Sequence, residues 1–173
     1  MTMQELTHRV GIALGSNVEP RESHLLAARH FLCNLNDGQP EDFCFSRIYE
    51  TTPVDCPPDS LSFLNAAAIL VSRLNPAGLL DRLQDFERQS GRPAVHERNS
   101  PRTVDLDILF VGDLTMAGPR IEVPHPRARD RAFVLVPLAE IAPSLRLPGC
   151  DLTVSELASQ LDLQGIRPWE GRL

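Results

Sequence analysis

The run Thr103-Val104-Asp105-Leu106-Asp107-Ile108-Leu109-Phe110-Val111 is the most strand-like stretch of the chain. β-Branched and aliphatic residues dominate it, and its first half alternates strictly between apolar and charged. A two-residue period puts Val104, Leu106 and Ile108 on one face and Asp105 and Asp107 on the other. The two aspartate Cα atoms then lie about 6.5–7 Å apart. Carboxylates held that close repel unless a cation lies between them, and hard oxygen ligands at this spacing suit one or two Mg²⁺ ions shared with phosphates. Spacing alone leaves a second reading open: two solvated acids, or partners of nearby arginines.

Working outward, Arg92-Pro93-Ala94-Val95-His96-Glu97-Arg98-Asn99-Ser100-Pro101 lacks an apolar period and reads as an exposed loop. Its arginines, with Arg102, favour a metal–polyphosphate site, since guanidinium forks take the phosphate charge that a metal leaves over. Before it, Asn75-Pro76 is a cap followed by proline at the first helical position. Leu79, Leu80, Leu83 and Phe86 then form an apolar stripe, and Gly91 fits the stop. Residues 61–73 read as a strand and 51–60 as a loop. Residues 42–50 alternate as a strand, residues 22–35 carry apolar residues at helical spacing (25, 28, 32, 35), and residues 9–14 form a first strand broken at Gly15-Ser16-Asn17. Beyond the aspartate strand, 121–124 suggests a short strand and 133–141 a short helix. Thr153 to Glu156 matches a capping box opening a last helix to about Leu161. The order β-α-β-β-α-β predicts an α+β, ferredoxin-like sandwich: a mainly antiparallel sheet with helices on one face, leaving the other for a site.

Composition narrows the chemistry. At 173 residues, 42% hydrophobic and 23% charged, the chain fits one domain, 1–173, with a core that needs no disulfide or metal. The absence of a membrane-length apolar run and of a signal-peptide core predicts a soluble, cytoplasmic protein, and a monomer is expected without a sequence feature that decides it. All 17 basic residues are arginine. Without lysine there is no P-loop lysine, no kinase-type Lys–Glu pair and no Schiff base. The net charge of −6 is uneven: residues 82–131 sum to +1 and the rest to −7. Arginines concentrated in one segment of an acidic chain indicate a local anion site. With 5% aromatics and no RNP-type strand, an RNA-binding module of the same topology is disfavoured. Four cysteines (33, 44, 56, 150) without a C-x-x-C pair read as reduced thiols, and the dispersed histidines (8, 24, 30, 96, 125) give a His-based metal site little support.

The run Pro101 to Leu109 resembles the signature of the 6-hydroxymethyl-7,8-dihydropterin pyrophosphokinase family of folate biosynthesis. Further matches follow in order. They are Ala13-Leu14-Gly15-Ser16-Asn17, Phe63-Leu64-Asn65-Ala66-Ala67, Gln84 and Glu87 before Gly91-Arg92, Val123-Pro124-His125, and Arg131 through Leu138, so that the resemblance spans about 9–145. It implies transfer of the terminal pyrophosphoryl group of MgATP to the pterin hydroxymethyl oxygen, with AMP leaving. Asp105 and Asp107 would hold two Mg²⁺ ions, and Arg92 and Arg102 would act catalytically on the phosphates. The ATP site would comprise Gln84, Glu87, Arg92, Arg98, Arg102, Ile108, Arg120, His125 and Arg131. The pterin site would comprise Thr51, Thr52, Val54, Phe63, Asn65 and Phe133, with Asn65 reading the polar edge and the two phenylalanines stacking on the ring. ATP and the dihydropterin are thus the expected partners, with no nucleic acid and no membrane. Ala94, Asn99 and Glu122 depart from residues that some members carry, and a catalytically inactive pterin-binding relative is the alternative.

Overall fold

The structure, a computed structural model, describes residues 6–52, 61–91 and 101–171. In chain order it contains β1 (His8–Ser16), α1 (Arg21–Asn34), β2 (Cys44–Phe45), β3 (Tyr49–Thr51), β4 (Phe63–Ser72), α2 (Pro76–Gln89), β5 (Asp105–Val111), β6 (Met116–Ala117), β7 (Glu122–Val123), α3 (Ala132–Ile141), α4 (Val154–Ser159) and β8 (Ile166–Pro168). The main sheet has the order β5-β1-β4-β3-β8, with β2 also paired to β4. Every pairing in it is antiparallel. The four strands of the expected β-α-β-β-α-β order are therefore present, the second as the pair β2 and β3, and β8 extends the sheet at its far edge.

Alternation divides the sheet into two cores. Val10, Ile12 and Leu14 of β1, Leu64, Ala66, Ala68 and Leu70 of β4, and Leu106 and Ile108 of β5 share one face. Leu25, Ala28 and Leu32 of α1 and Leu79 and Leu83 of α2 pack onto it. The caps behave as their chemistry dictates: Asn75 accepts from the Gly78 N–H, and Thr153 and Glu156 form a capping box. Gly91, with φ of 97°, follows α2 in the left-handed conformation that glycine accommodates without a Cβ clash.

The expectation of helices on one face holds for α1 and α2. The opposite face is not helix-free: α3 and α4 cover part of it. Ala67, Ile69, Leu109 and Phe110 are apolar there, and burying them takes Val134, Leu135, Leu138, Val154 and Ala158. What stays uncovered by that second core is the end of the face that carries Phe63, Asn65, Gly15 and Asp105.

Two local departures shape this frame. Ile12 pairs with Ile108 and Gly11 with Phe110, so Leu109 is an extra residue in β5, a β-bulge that places both Leu109 and Phe110 in the second core. The strand expected over 42–50 is split into β2 and β3, because Ser46 bonds the main chain of Ala67 through both its own N–H and its hydroxyl. The C-terminal segment, without a role in the sequence reading, pairs Glu50 with Arg167 and Thr51 with Ile166. The Glu50 carboxylate is shared by Arg21, Ser62 and Arg167, and these partners hold it below the usual carboxylate range. Among the described residues no helix is long and apolar enough to cross a membrane.

Candidate active site

Strand register builds the site. Asp105 lies opposite Gly15, Gly15 opposite Asn65, and Asn65 opposite Tyr49, forming one row across β5, β1, β4 and β3. Asp107 pairs with Ala13, and Ala13 with Ala67, in the next row on the same face. At about 4.8 Å per strand, Asn65 and Asp105 stand roughly 10 Å apart with only a glycine between them. Small residues beneath and polar ones at either side make an open floor bounded by an amide at one end and two carboxylates at the other.

The carboxylate end is fixed by the segment that enters β5. Asn17 exchanges two hydrogen bonds with Arg102: its Oδ1 accepts from the Arg102 N–H at 2.7 Å, and its own N–H donates to the Arg102 carbonyl at 3.1 Å. The Ser16 hydroxyl donates to the Thr103 carbonyl at 2.7 Å. Ser16 and Asn17 are both buried, so the end of β1 and the start of β5 form one stitched unit. From it the Arg102 guanidinium bonds Asp105. On the outer edge of β5, the Glu87 carboxylate accepts from the Leu106 N–H at 2.7 Å, fixing the residue between the two aspartates.

A second basic segment faces the carboxylates. The His125 N–H donates to the Leu109 carbonyl at 2.8 Å, which ties the segment after β7 to the bulge. The Arg127 N–H donates to His125 Nδ1 at 3.1 Å, leaving the ring proton on Nε2 in the neutral form. Burial, then the Arg131 and Arg127 guanidinia, hold the imidazole below its usual pKa, with Asp105 opposing. Arg131, the residue before α3, is likewise lowered by burial and Arg127, while Asp107 and Asp105 pull the other way. Two carboxylates therefore lie in the field of Arg102, Arg127 and Arg131.

At the amide end, Asn65 is only 5% exposed and its Nδ2 donates to the Thr51 hydroxyl at 2.8 Å. Thr51 is itself buried between β4 and β8. The Phe63 ring lies beside Gly15. Phe133 is half-buried at the start of α3, with the Arg131 guanidinium 5.4 Å from its ring centre.

Residues 11–143 match the family model described as 7,8-dihydro-6-hydroxymethylpterin-pyrophosphokinase (HPPK). The chain belongs to the HPPK family. It is similar to the 2-amino-4-hydroxy-6-hydroxymethyldihydropteridine pyrophosphokinase of Pseudomonas aeruginosa, 41% identical over 170 residues, covering 96% of this chain and 99% of that one. The Bacillus subtilis pyrophosphokinase of the same description is 38% identical over 165 residues, covering 92% and 89%. A crystal structure of Plasmodium falciparum HPPK-DHPS shares the fold, with a TM-score of 0.69 at 15% identity over 92% of this chain. This chain spans 46% of that longer protein.

Set against the roles that HPPK resemblance implies, the structure gathers Arg102, Asp105, Asp107, His125 and Arg131 at one end, and Thr51, Phe63 and Asn65 at the other. Thr52 is exposed, and its N–H donates to the Gly165 carbonyl. Three nucleotide-side expectations take a different form. Glu87 is turned inward, 3% exposed, onto the β5 main chain. The Ile108 side chain is buried on the helix face, away from the aspartates, which leaves only its main chain for a ligand. By the strand period that main chain faces the same open edge as the Leu106 N–H. Arg120 is exposed and pairs with Asp81 of α2 at 2.6 Å. Gln84 is half-buried on α2. Arg92, Arg98 and Val54 lie outside the described residues. Arg127, Ser16 and Asn17 received no role from the sequence: they act through register and main-chain contacts, which a motif does not display.

Proposed function

We propose that this chain transfers pyrophosphate from ATP to the hydroxymethyl oxygen of 6-hydroxymethyl-7,8-dihydropterin. The observation that carries this reading is the row Asn65–Gly15–Asp105, flanked by Arg102, His125 and Arg131 in a chain of the HPPK family. A pterin is flat, with donors and acceptors on one edge, and suits aromatic faces and an amide. Phe63 and Asn65 offer these at one end of the floor, and Phe133 is the second stacking face that the family resemblance assigns. Asn65 orients the ring so that the hydroxymethyl group faces the carboxylate end.

At that end the hydroxymethyl oxygen forms a bond to the β-phosphorus of ATP. The bond from that phosphorus to the α-phosphate oxygen breaks, AMP leaves, and the hydroxyl proton passes to water. Arg102 and Arg131 take charge from the phosphates, while neutral His125 donates through Nε2–H without adding a full positive charge. Among the described residues no group of three or more His, Cys, Asp or Glu could hold a metal by itself. Two carboxylates on one face nonetheless fit Mg²⁺ shared with ATP, a mode in which substrate phosphates supply further oxygens. Asp105 and Asp107 would hold it, and when bound it would neutralise charge on the transferring group.

The test is to incubate the protein with MgATP and the dihydropterin and to identify the nucleotide product. AMP is expected, and ADP or no turnover would refute the reading. Asp105→Ala and Asp107→Ala are each expected to abolish turnover in folded protein; near-normal activity at saturating Mg²⁺ would remove the metal assignment.

A further inference from the structure

Gly15 lies in the middle of the site, and the fold does not require it. Its main chain is ordinary antiparallel strand, paired with Asn65 on one side and Asp105 on the other. A Cβ placed on it would stand 3.4 Å from Asn65 Oδ1 and 4.0 Å from Phe63 Cδ1, both van der Waals distances. Gly11, four positions earlier on the same face, is the contrast. A Cβ there would fall 2.2 Å from Phe110 Cε1, so the protein itself occupies that space. Glycine within a strand weakens it relative to alanine, and often marks close approach of a ligand. At Gly11 the approaching group is Phe110. At Gly15 no group of the described residues fills the gap.

The surroundings say what the gap receives. Asn65 is buried and its Nδ2 is committed to Thr51, while its Oδ1 has no partner among the described residues and lies nearest to Gly15. An accessible acceptor on a mostly buried side chain, close to bare backbone and with a phenyl ring nearby, fits the donor-bearing edge of a flat heterocycle. We infer that Gly15 is a specificity-determining residue, the floor on which the ring of the substrate lies between Asn65 and Asp105. A methyl group there would lift the ring off the strand and carry the hydroxymethyl oxygen away from the phosphate end. This inference rests on the pterin reading and adds to it the residue that sets the thickness of the slot.

The experiment compares Gly15→Ala and Gly11→Ala with the wild type. Gly15→Ala should melt at or above the wild-type temperature and bind MgATP within about 2-fold of it. Its affinity for the dihydropterin, measured with a non-hydrolysable ATP analogue present, should fall at least ~10-fold. Gly11→Ala should instead lose thermal stability, because its Cβ meets Phe110. Unchanged pterin affinity in Gly15→Ala would overturn the inference, as would equal losses for both ligands. A fall in its melting temperature of more than ~4 °C would also overturn it, by showing that the fold needs the space. Absence of AMP formation by the wild type would instead refute the functional reading, so the two failures are distinguishable.

Discussion

Glu87 separates two accounts of the same residue. Resemblance places it on the nucleotide side, whereas the structure buries its carboxylate and aims it at the Leu106 N–H. Glu87→Ala would leave that buried N–H unpaired and remove a hydrogen bond to a charged acceptor, a loss of about 2–3 kcal/mol. At ~2–4 °C per kcal/mol for a domain of this size, the melting temperature should fall by about 4–12 °C. Glu87→Gln keeps an oxygen acceptor but not the charge, and should lose only ~1 kcal/mol. Leu106 separates the two aspartates, so Glu87→Ala should also lower kcat more than it weakens MgATP binding. Circular-dichroism melts and calorimetric titration of MgATP read the two effects separately. An unchanged melting temperature with a 10-fold loss of ATP affinity would refute the structural role and return Glu87 to the ligand.

Asn65→Ala should weaken dihydropterin binding by ~1–3 kcal/mol, roughly 5- to 150-fold, and leave MgATP binding unaltered; equal losses in titrations of both ligands would show Asn65 to be structural. His125 should titrate below the ordinary imidazole value of about 6.5 by ring NMR, and Asp105→Asn should lower its midpoint further, since Asp105 favours the protonated ring. Its folded pKa is the lower one, so acidification through about 6.5 protonates the unfolded chain first and stability falls. A midpoint at or above 6.5 would contradict the burial and the two guanidinia described here.

What was legible in the sequence follows the range of the interactions involved. Period-two alternation at 104–108, the Asn75-Pro76 helix start and the Thr153–Glu156 capping box are local, and all three stand in the structure. The carboxylate pair needed only the alternation. Pairing partners could not be read that way, because Asp105 meets Gly15, and Gly15 meets Asn65, across tens of residues. Glu87 shows the same limit: a glutamate on a helix reads as solvated until a strand N–H is found beneath it. The cover that α3 and α4 give the second face was hidden because residues 133–138 are apolar all round, which marks burial without saying against what. Ile166 to Pro168 is too short for period to identify as a strand, and only its pairing with β3 defines it.

The extra residue at Leu109 changes the phase of β5 partway along its length. Before it the strand follows the rhythm that serves the ligand end; after it the strand follows one that serves α3. Were Leu109 removed, Ile108 and Phe110 would become consecutive, the ladder to β1 would run unbroken, and Phe110 would still cover Gly11. The strand pairing would survive that change, although the second core would lose the buried Leu109 side chain. The carbonyl that receives the His125 N–H would go with Leu109, and with it the tether of the segment carrying Arg127 and Arg131. An irregularity in the strand is thus what anchors the positive wall opposite the aspartates, so a length change of one residue there would act on charge placement as well as on the core.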